Sequence, residues 1–121
     1  MKQIDSPHNA IFKNLKALAT NAKARREQNK VILEGIHLTH SYLLTGQLPV
    51  SCVVSRSAED NWEVSTIITR CEQQGIPIVS VNDSQFEALS SVDNGVGVLL
   101  VIEQPVANTP EVLAESALLL D

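Results

Sequence analysis

The chain has 121 residues, 44% apolar and 19% charged, with a formal net charge of -5 at pH 7. That length sets the expectation of one domain with a core that needs no staples, and the longest apolar runs, 96–102 and 117–120, fall far short of the ~20 residues a membrane helix requires. Aromatic residues make up only 3% of the chain and there are two cysteines, Cys52 and Cys71. The core is therefore expected to be aliphatic, and a disulfide framework is excluded; with Met1 running straight into polar residues, the expected compartment is the cytoplasm, with no membrane partner.

The net charge is the sum of two opposite parts. Seven of the nine Lys and Arg residues (Lys2, Lys13, Lys16, Lys23, Arg25, Arg26 and Lys30) lie in the first thirty positions, where only Asp5 and Glu27 oppose them, a net of +5. The rest of the chain carries Arg56 and Arg70 against twelve carboxylates, a net of -10. A basic segment on an acidic body points to a polyanion footprint, most simply nucleic acid; the alternative is that these side chains only solvate a helix.

In chain order, Ser6 as N-cap and Pro7 at the first helical position predict an opening helix. Ile11, Leu15, Leu18 and Ala22 share one arc of its wheel, and Asn9, Lys13, Lys16, Thr20 and Lys23 form a basic ridge opposite. Phe12 sits beside the ridge, where it either stacks on a base or covers part of the core. A polar stretch at 23–29 leads into a strand at 31–34, and Gly35 turns the chain into a helix that ends near Gly46. A strand at 50–55 follows Pro49. Ser57 and Asp60 resemble the capping box of a helix with Val64, Ile67, Ile68 and Cys71 on its apolar stripe, closed by Gly75 and Pro77. A strand at 78–81, a short helix capped by Asp83 or Ser84, and a strand at 96–102 complete the pattern. Strands alternating with helices predict an α/β domain over residues 1–103 with helices on both faces of the sheet. Residues 104–121, with Pro105 and Pro110, read as a linker followed by the start of another strand at 118–121.

Motifs for chemistry are sparse. Glu34, His37 and His40 give one Glu-x-x-His and one i, i+3 histidine pair, short of any complete metal site, so two surface histidines are the better account. His8 is a lone histidine in the first predicted turn. Cys52 and Cys71 read as small buried hydrophobes, and Gly95-Val96-Gly97 as a turn entering a strand. No catalytic residue and no metal ligand is assigned within this chain.

Taken together, Ile4-Asp5-Ser6, Asn9, Lys13, Leu15, Lys23, Arg25-Arg26, the 31–33 strand with Glu34-Gly35, and Leu38 resemble the N-terminal substrate-binding domain of SpoU/TrmH-type (SPOUT superfamily) RNA ribose 2'-O-methyltransferases. Phe86-Glu87-Ala88-Leu89-Ser90, then Asn94-Gly95-Val96, resemble that family's F-x-x-L-S segment and the entry to its last strand, and Leu118 to Asp121 resembles the first strand of its catalytic knot. Ala10 stands where the family often has Pro, and Asp93-Asn94-Gly95 where it often has Pro-Gln-Gly. The resemblance implies a three-layer α/β/α sandwich like that of the eukaryotic-type ribosomal and kink-turn-binding proteins, here with a mixed four-stranded sheet. That domain would precede a knotted domain, absent from this chain, which binds S-adenosylmethionine and through which the parent protein forms a homodimer. It implies a ribosomal or transfer RNA partner contacted by Ser6, Asn9, Lys13, Lys23, Arg25 and Arg26, to which the helical wheel adds Lys16. Glu34 and Gly35 take structural roles, the carboxylate fixing Arg25 or Arg26 and the glycine permitting a tight turn. The rival readings are a stand-alone RNA-structure binder without catalysis and an interaction domain whose basic helix docks an acidic protein.

Overall fold

Short aliphatic runs and capped helices alternate along this chain, and each strand finds its neighbours across a crossover. In the computed structural model, which describes residues 1–6, 8–90 and 97–104, the strands are β1 (Lys2–Ile4), β2 (Lys30–Glu34), β3 (Ser51–Ser55), β4 (Ile78–Val81) and β5 (Val98–Glu103). Their order across the sheet is β1-β4-β3-β5-β2. The pairs β1–β4 and β3–β4 are parallel, whereas β5 runs antiparallel to both β3 and β2. Four strands thus point one way and β5 opposes them, which makes the sheet mixed.

The helices are α1 (Ala10–Thr20), α2 (Ala22–Gln28), α3 (Ile36–Leu44), α4 (Trp62–Gln73) and α5 (Asp83–Leu89), with a 3-10 turn at Arg56–Asp60. Strand alternation divides the core in two. Val53, Val79, Val81, Leu99 and Val101 pack against Phe12, Leu15 and Leu18 of α1 and Phe86 and Leu89 of α5. Their neighbours Cys52, Val54, Ile78, Val98 and Leu100 pack on the other face, against Leu43 of α3 and Val64, Ile67, Ile68 and Cys71 of α4. The result is three layers, helix on sheet on helix. Each fully buried Val, Leu, Ile or Phe contributes roughly 1.5–3 kcal/mol relative to the exposed side chain, so the two clusters carry the fold with mainly aliphatic side chains beside Phe12 and Phe86.

The sheet has five strands, not the expected four. The addition, β1, is a three-residue edge strand with only Ile4 buried, too short to show alternation in sequence. The helix starts also differ from expectation, because asparagine side chains take the capping positions. Asn9, not Ser6, caps α1; Asn61, not Ser57, caps α4; Asn82, not Asp83 or Ser84, caps α5 and forms a capping box with Gln85. Residues 56–60 form the 3-10 turn before α4 rather than its first turn. The stretch expected to be merely polar holds α2, which starts at a break where Asn21 (φ -127°, ψ 110°) ends one helix and caps the next. Phe12 is buried in the core, and Ile11, placed on the packing arc by the wheel, is exposed. The linker and strand expected at 104–121 lie outside the described residues after Gln104, as do Pro7 and the Asp93-Asn94-Gly95 turn.

Candidate nucleic-acid interface

Five of the seven basic residues of the N-terminal segment, Lys13, Lys16, Lys23, Arg25 and Arg26, are carried by two consecutive helices on one face of the sheet, while Lys2 lies on β1 and Lys30 on β2. α1, about 16 Å long from its eleven residues, turns Phe12, Leu15 and Leu18 inward and leaves Lys13 and Lys16 exposed. α2 buries none of its residues, and Lys23 and Arg26 stand out from it into solvent. Lys23 Nζ lies 4.0 Å from Glu27 Oε2 with both side chains mostly exposed, a loose pair that costs the lysine little of its availability. Two contacts hold α2 against α1: Arg25 Nη1 donates to the Leu18 carbonyl at 2.8 Å, and Gln28 Nε2 donates to Asn14 Oδ1 at 2.8 Å. Asn29 then takes the left-handed conformation (φ 57°) that ends α2 and admits the chain to β2.

The seven residues expected to face RNA divide by environment. Lys13 and Lys16 on α1 and Lys23 and Arg26 on α2 are all exposed. Arg25 is half-buried and holds the Leu18 carbonyl. Ser6 and Asn9 sit at the opposite end of α1, past the end of β1. Ser6 Oγ accepts from the His8 backbone N–H at 3.1 Å. Asn9 Oδ1 accepts from the N–H groups of Ile11 (2.8 Å) and Phe12 (3.4 Å), which leaves its amide group as the donor for any outside partner.

Glu34 and Gly35 close β2. The Glu34 carboxylate accepts from the Ser90 hydroxyl, which joins the end of β2 to the end of α5. Gly35 adopts φ 108°, a conformation other residues resist, and its N–H donates to the Val98 carbonyl at 3.1 Å, so the glycine is required by the backbone alone. A groove of about 480 Å³ runs along β2, walled by Leu18, Ala19, Leu38 and Leu89, with Arg25 and Glu34 as its charged members.

Sequence reasoning assigned no role to Arg56. It lies where β3 leaves the sheet, and its guanidinium donates to Asp5 Oδ1 (2.6 Å) and to the carbonyls of Ile4 (3.4 Å) and Ser80 (3.3 Å), clasping the edge strand β1 to β4. The Ser80 hydroxyl in turn donates to the Glu59 carboxylate. Nothing in the local sequence signals this, since every partner is remote in the chain.

A three-layer α/β domain with a cationic helix pair on one face is the class of molecule that fold and surface define. The chain belongs to the family of the MRM3-like substrate binding domain, whose model matches residues 9–100. That places it where the sequence resemblance had pointed. Among solved structures it is similar to the rRNA methyltransferase from Sinorhizobium meliloti (TM-score 0.71, 24% identity, 88% of this chain and 38% of that one). It is also similar to an RNA 2'-O ribose methyltransferase (TM-score 0.72, 23% identity, 94% and 42%). A third is the SpoU methyltransferase AviRb from Streptomyces viridochromogenes in complex with AdoMet (TM-score 0.56, 19% identity, 82% and 37%). At these identities the likeness is one of fold. The chain spans between 37% and 42% of the length of these three proteins. No curated protein matches it.

Proposed function

We propose that this chain is the RNA-recognition domain of an RNA ribose 2'-O-methyltransferase acting on ribosomal or transfer RNA. The observation that carries the reading is the match of residues 9–100 to a substrate-binding-domain family, in a chain whose exposed cations gather on α1 and α2. Lys13, Lys16, Lys23 and Arg26 grip successive phosphates, while the Asn9 amide and the Ser6 hydroxyl, at the far end of α1, meet a base edge or a 2'-hydroxyl. Arg25 acts through α2, holding the helix that presents its neighbours. In this reading the three-layer domain serves recognition of folded rather than extended RNA.

Residues 1–103 form this domain in the proposal, and 104–121 lead into a knotted domain that binds S-adenosylmethionine, transfers the methyl group and forms the parent's homodimer. One solved relative is an AdoMet-bound rRNA methyltransferase, in support of that cofactor. The described residues here do not fit it. The charged members of the β2 groove are already engaged, Arg25 with Leu18 and Glu34 with Ser90, and no methyl-transfer step is routed through this chain. The proposal sets the parent in the cytoplasm. Separately, no helix among the described residues is long and apolar enough to cross a membrane.

Photocrosslinking of the chain to a structured ribosomal RNA fragment tests the reading. Crosslinks on α1 and α2, lost when Lys13, Lys16, Lys23 and Arg26 become Ala and kept in Arg70→Glu on the opposite face, support it. Crosslinks centred on α4, or none, defeat it. Asn9→Ala should weaken some RNAs more than others.

A further inference from the structure

Among the described residues β2 is an edge strand, since the sheet order places β5 on one side of it and no described strand on the other. All five of its residues are half-buried, and the groove along it is walled by apolar side chains from both helical layers: Leu18, Ala19 and Leu89 on one side, Leu38 on the other. Leu38 is 56% exposed. Proteins usually blunt such an edge. Here the bonds to β5 fix which peptide groups turn outward. Gln104 N–H donates to the Asn29 carbonyl at 2.8 Å and Gly35 N–H to the Val98 carbonyl at 3.1 Å, so residues 29, 31, 33 and 35 bond inward. The alternate residues Lys30, Ile32 and Glu34 direct their peptide groups away from β5.

The sequence of this edge is self-complementary. Laid antiparallel against a second copy about Ile32, the strand Lys30–Glu34 sets Lys30 opposite Glu34, Val31 opposite Leu33, and Ile32 opposite itself. That register makes hydrogen-bonded pairs of the outward residues. It also places each lysine beside the other copy's carboxylate on the α1 side, and Val31 with Leu33 on the α3 side next to Leu38. The opposite edge has no such symmetry: about Gln3, β1 sets Lys2 against Ile4.

We propose that β2 is a self-association surface, where two copies of this domain join edge to edge through a two-fold axis at Ile32 into one ten-stranded sheet, apart from any dimerisation through a second domain. The interface closes on itself, so it yields dimers and not filaments. Five residues a side make it a weak contact, populated at high concentration or when another interface brings two domains together.

The test is sedimentation equilibrium of the full chain from micromolar to millimolar concentration, with folding checked by circular dichroism. The expected result is a monomer–dimer equilibrium that Lys30→Glu weakens about tenfold, because two attractive pairs become repulsive. Glu34→Lys alone should weaken it similarly, and an equimolar mixture of the two variants should form heterodimers in preference to either homodimer. Should Glu34→Lys fail to fold for want of its Ser90 contact, the Lys30→Glu chain, which keeps that contact, decides the matter. A chain monomeric at every concentration, or a dimer indifferent to Lys30→Glu, overturns the proposal; so does an edge that takes up only an unrelated extended peptide.

Discussion

Arg25 Nη1 donates to the main-chain carbonyl of Leu18 at 2.8 Å and so satisfies an acceptor that the break at Asn21 takes out of the helical ladder. The last carbonyls of a helix have no partner within it, and here a side chain from the next helix supplies one. One arginine of the adjacent pair is therefore structural, and Arg26 beside it is exposed.

Arg25→Ala should lower stability by about 1–2 kcal/mol, the range for a lost charge-assisted hydrogen bond reduced for partial exposure. Arg26→Ala should change it by less than about 0.5 kcal/mol. Urea unfolding of the two variants checks this, and equal losses would contradict it. In RNA binding the order is reversed per unit of stability lost: Arg26→Ala weakens binding with the fold intact.

Gly97 tests how closely β5 and β3 approach. A Cβ built there would lie 1.8 Å from Ser55 Oγ and 2.8 Å from Ala58 Cβ. The Ser55 N–H donates to the Gly97 carbonyl at 2.9 Å, so the strands have no freedom to separate. Gly97→Ala is expected to cost about 3 kcal/mol through overpacking, read as a fall in Tm, and Ser55→Gly in the same chain should recover part of it. An unchanged Tm would show that the strands can part.

Cys52 and Cys71 are both fully buried in the cluster beneath α4. A hydrogen bond with Cys71, then burial, pushes the Cys52 thiol well above the usual range, so it stays protonated in the folded protein. In the unfolded chain it would ionise near pH 8.5. With its folded pKa raised, its contribution to stability is present below that pH and lost as pH rises above it. An aromatic disulfide reagent at pH 8 should leave both thiols untouched in the native protein and react with both in urea. Rapid native reaction of Cys52 would contradict this burial.

Much of the fold was legible because β2, β3, β4 and β5 are aliphatic runs bounded by turn residues, and because Val64, Ile67, Ile68 and Cys71 keep helical spacing. β1 was hidden: it buries one side chain, and only pairing with the distant β4 makes it a strand. α2 was hidden for a related reason, since it buries none of its residues and leaves no apolar period to read. Asn9, Asn21, Asn61 and Asn82 all accept backbone hydrogen bonds at helix starts, where Ser6, Ser57, Asp83 and Ser84 offered rival caps nearby. Several residues near a helix start can cap it, and packing selects among them. Of the candidate interface, sequence showed its charge and location. It did not show that Arg25 turns inward, which depends on the angle between two helices.

The most direct test of the account is the salt dependence of RNA binding. Fluorescence anisotropy with a structured ribosomal RNA fragment, titrated at several salt concentrations, should give a log–log slope of roughly -3 to -5, as four to six phosphate contacts require at about 0.7–0.9 each. With Lys13, Lys16, Lys23 and Arg26 replaced by Ala the slope should flatten towards zero, while Arg70→Glu on α4 should leave it unchanged. A slope that survives the four replacements, or that falls as far with Arg70→Glu, would contradict the placement of RNA on α1 and α2.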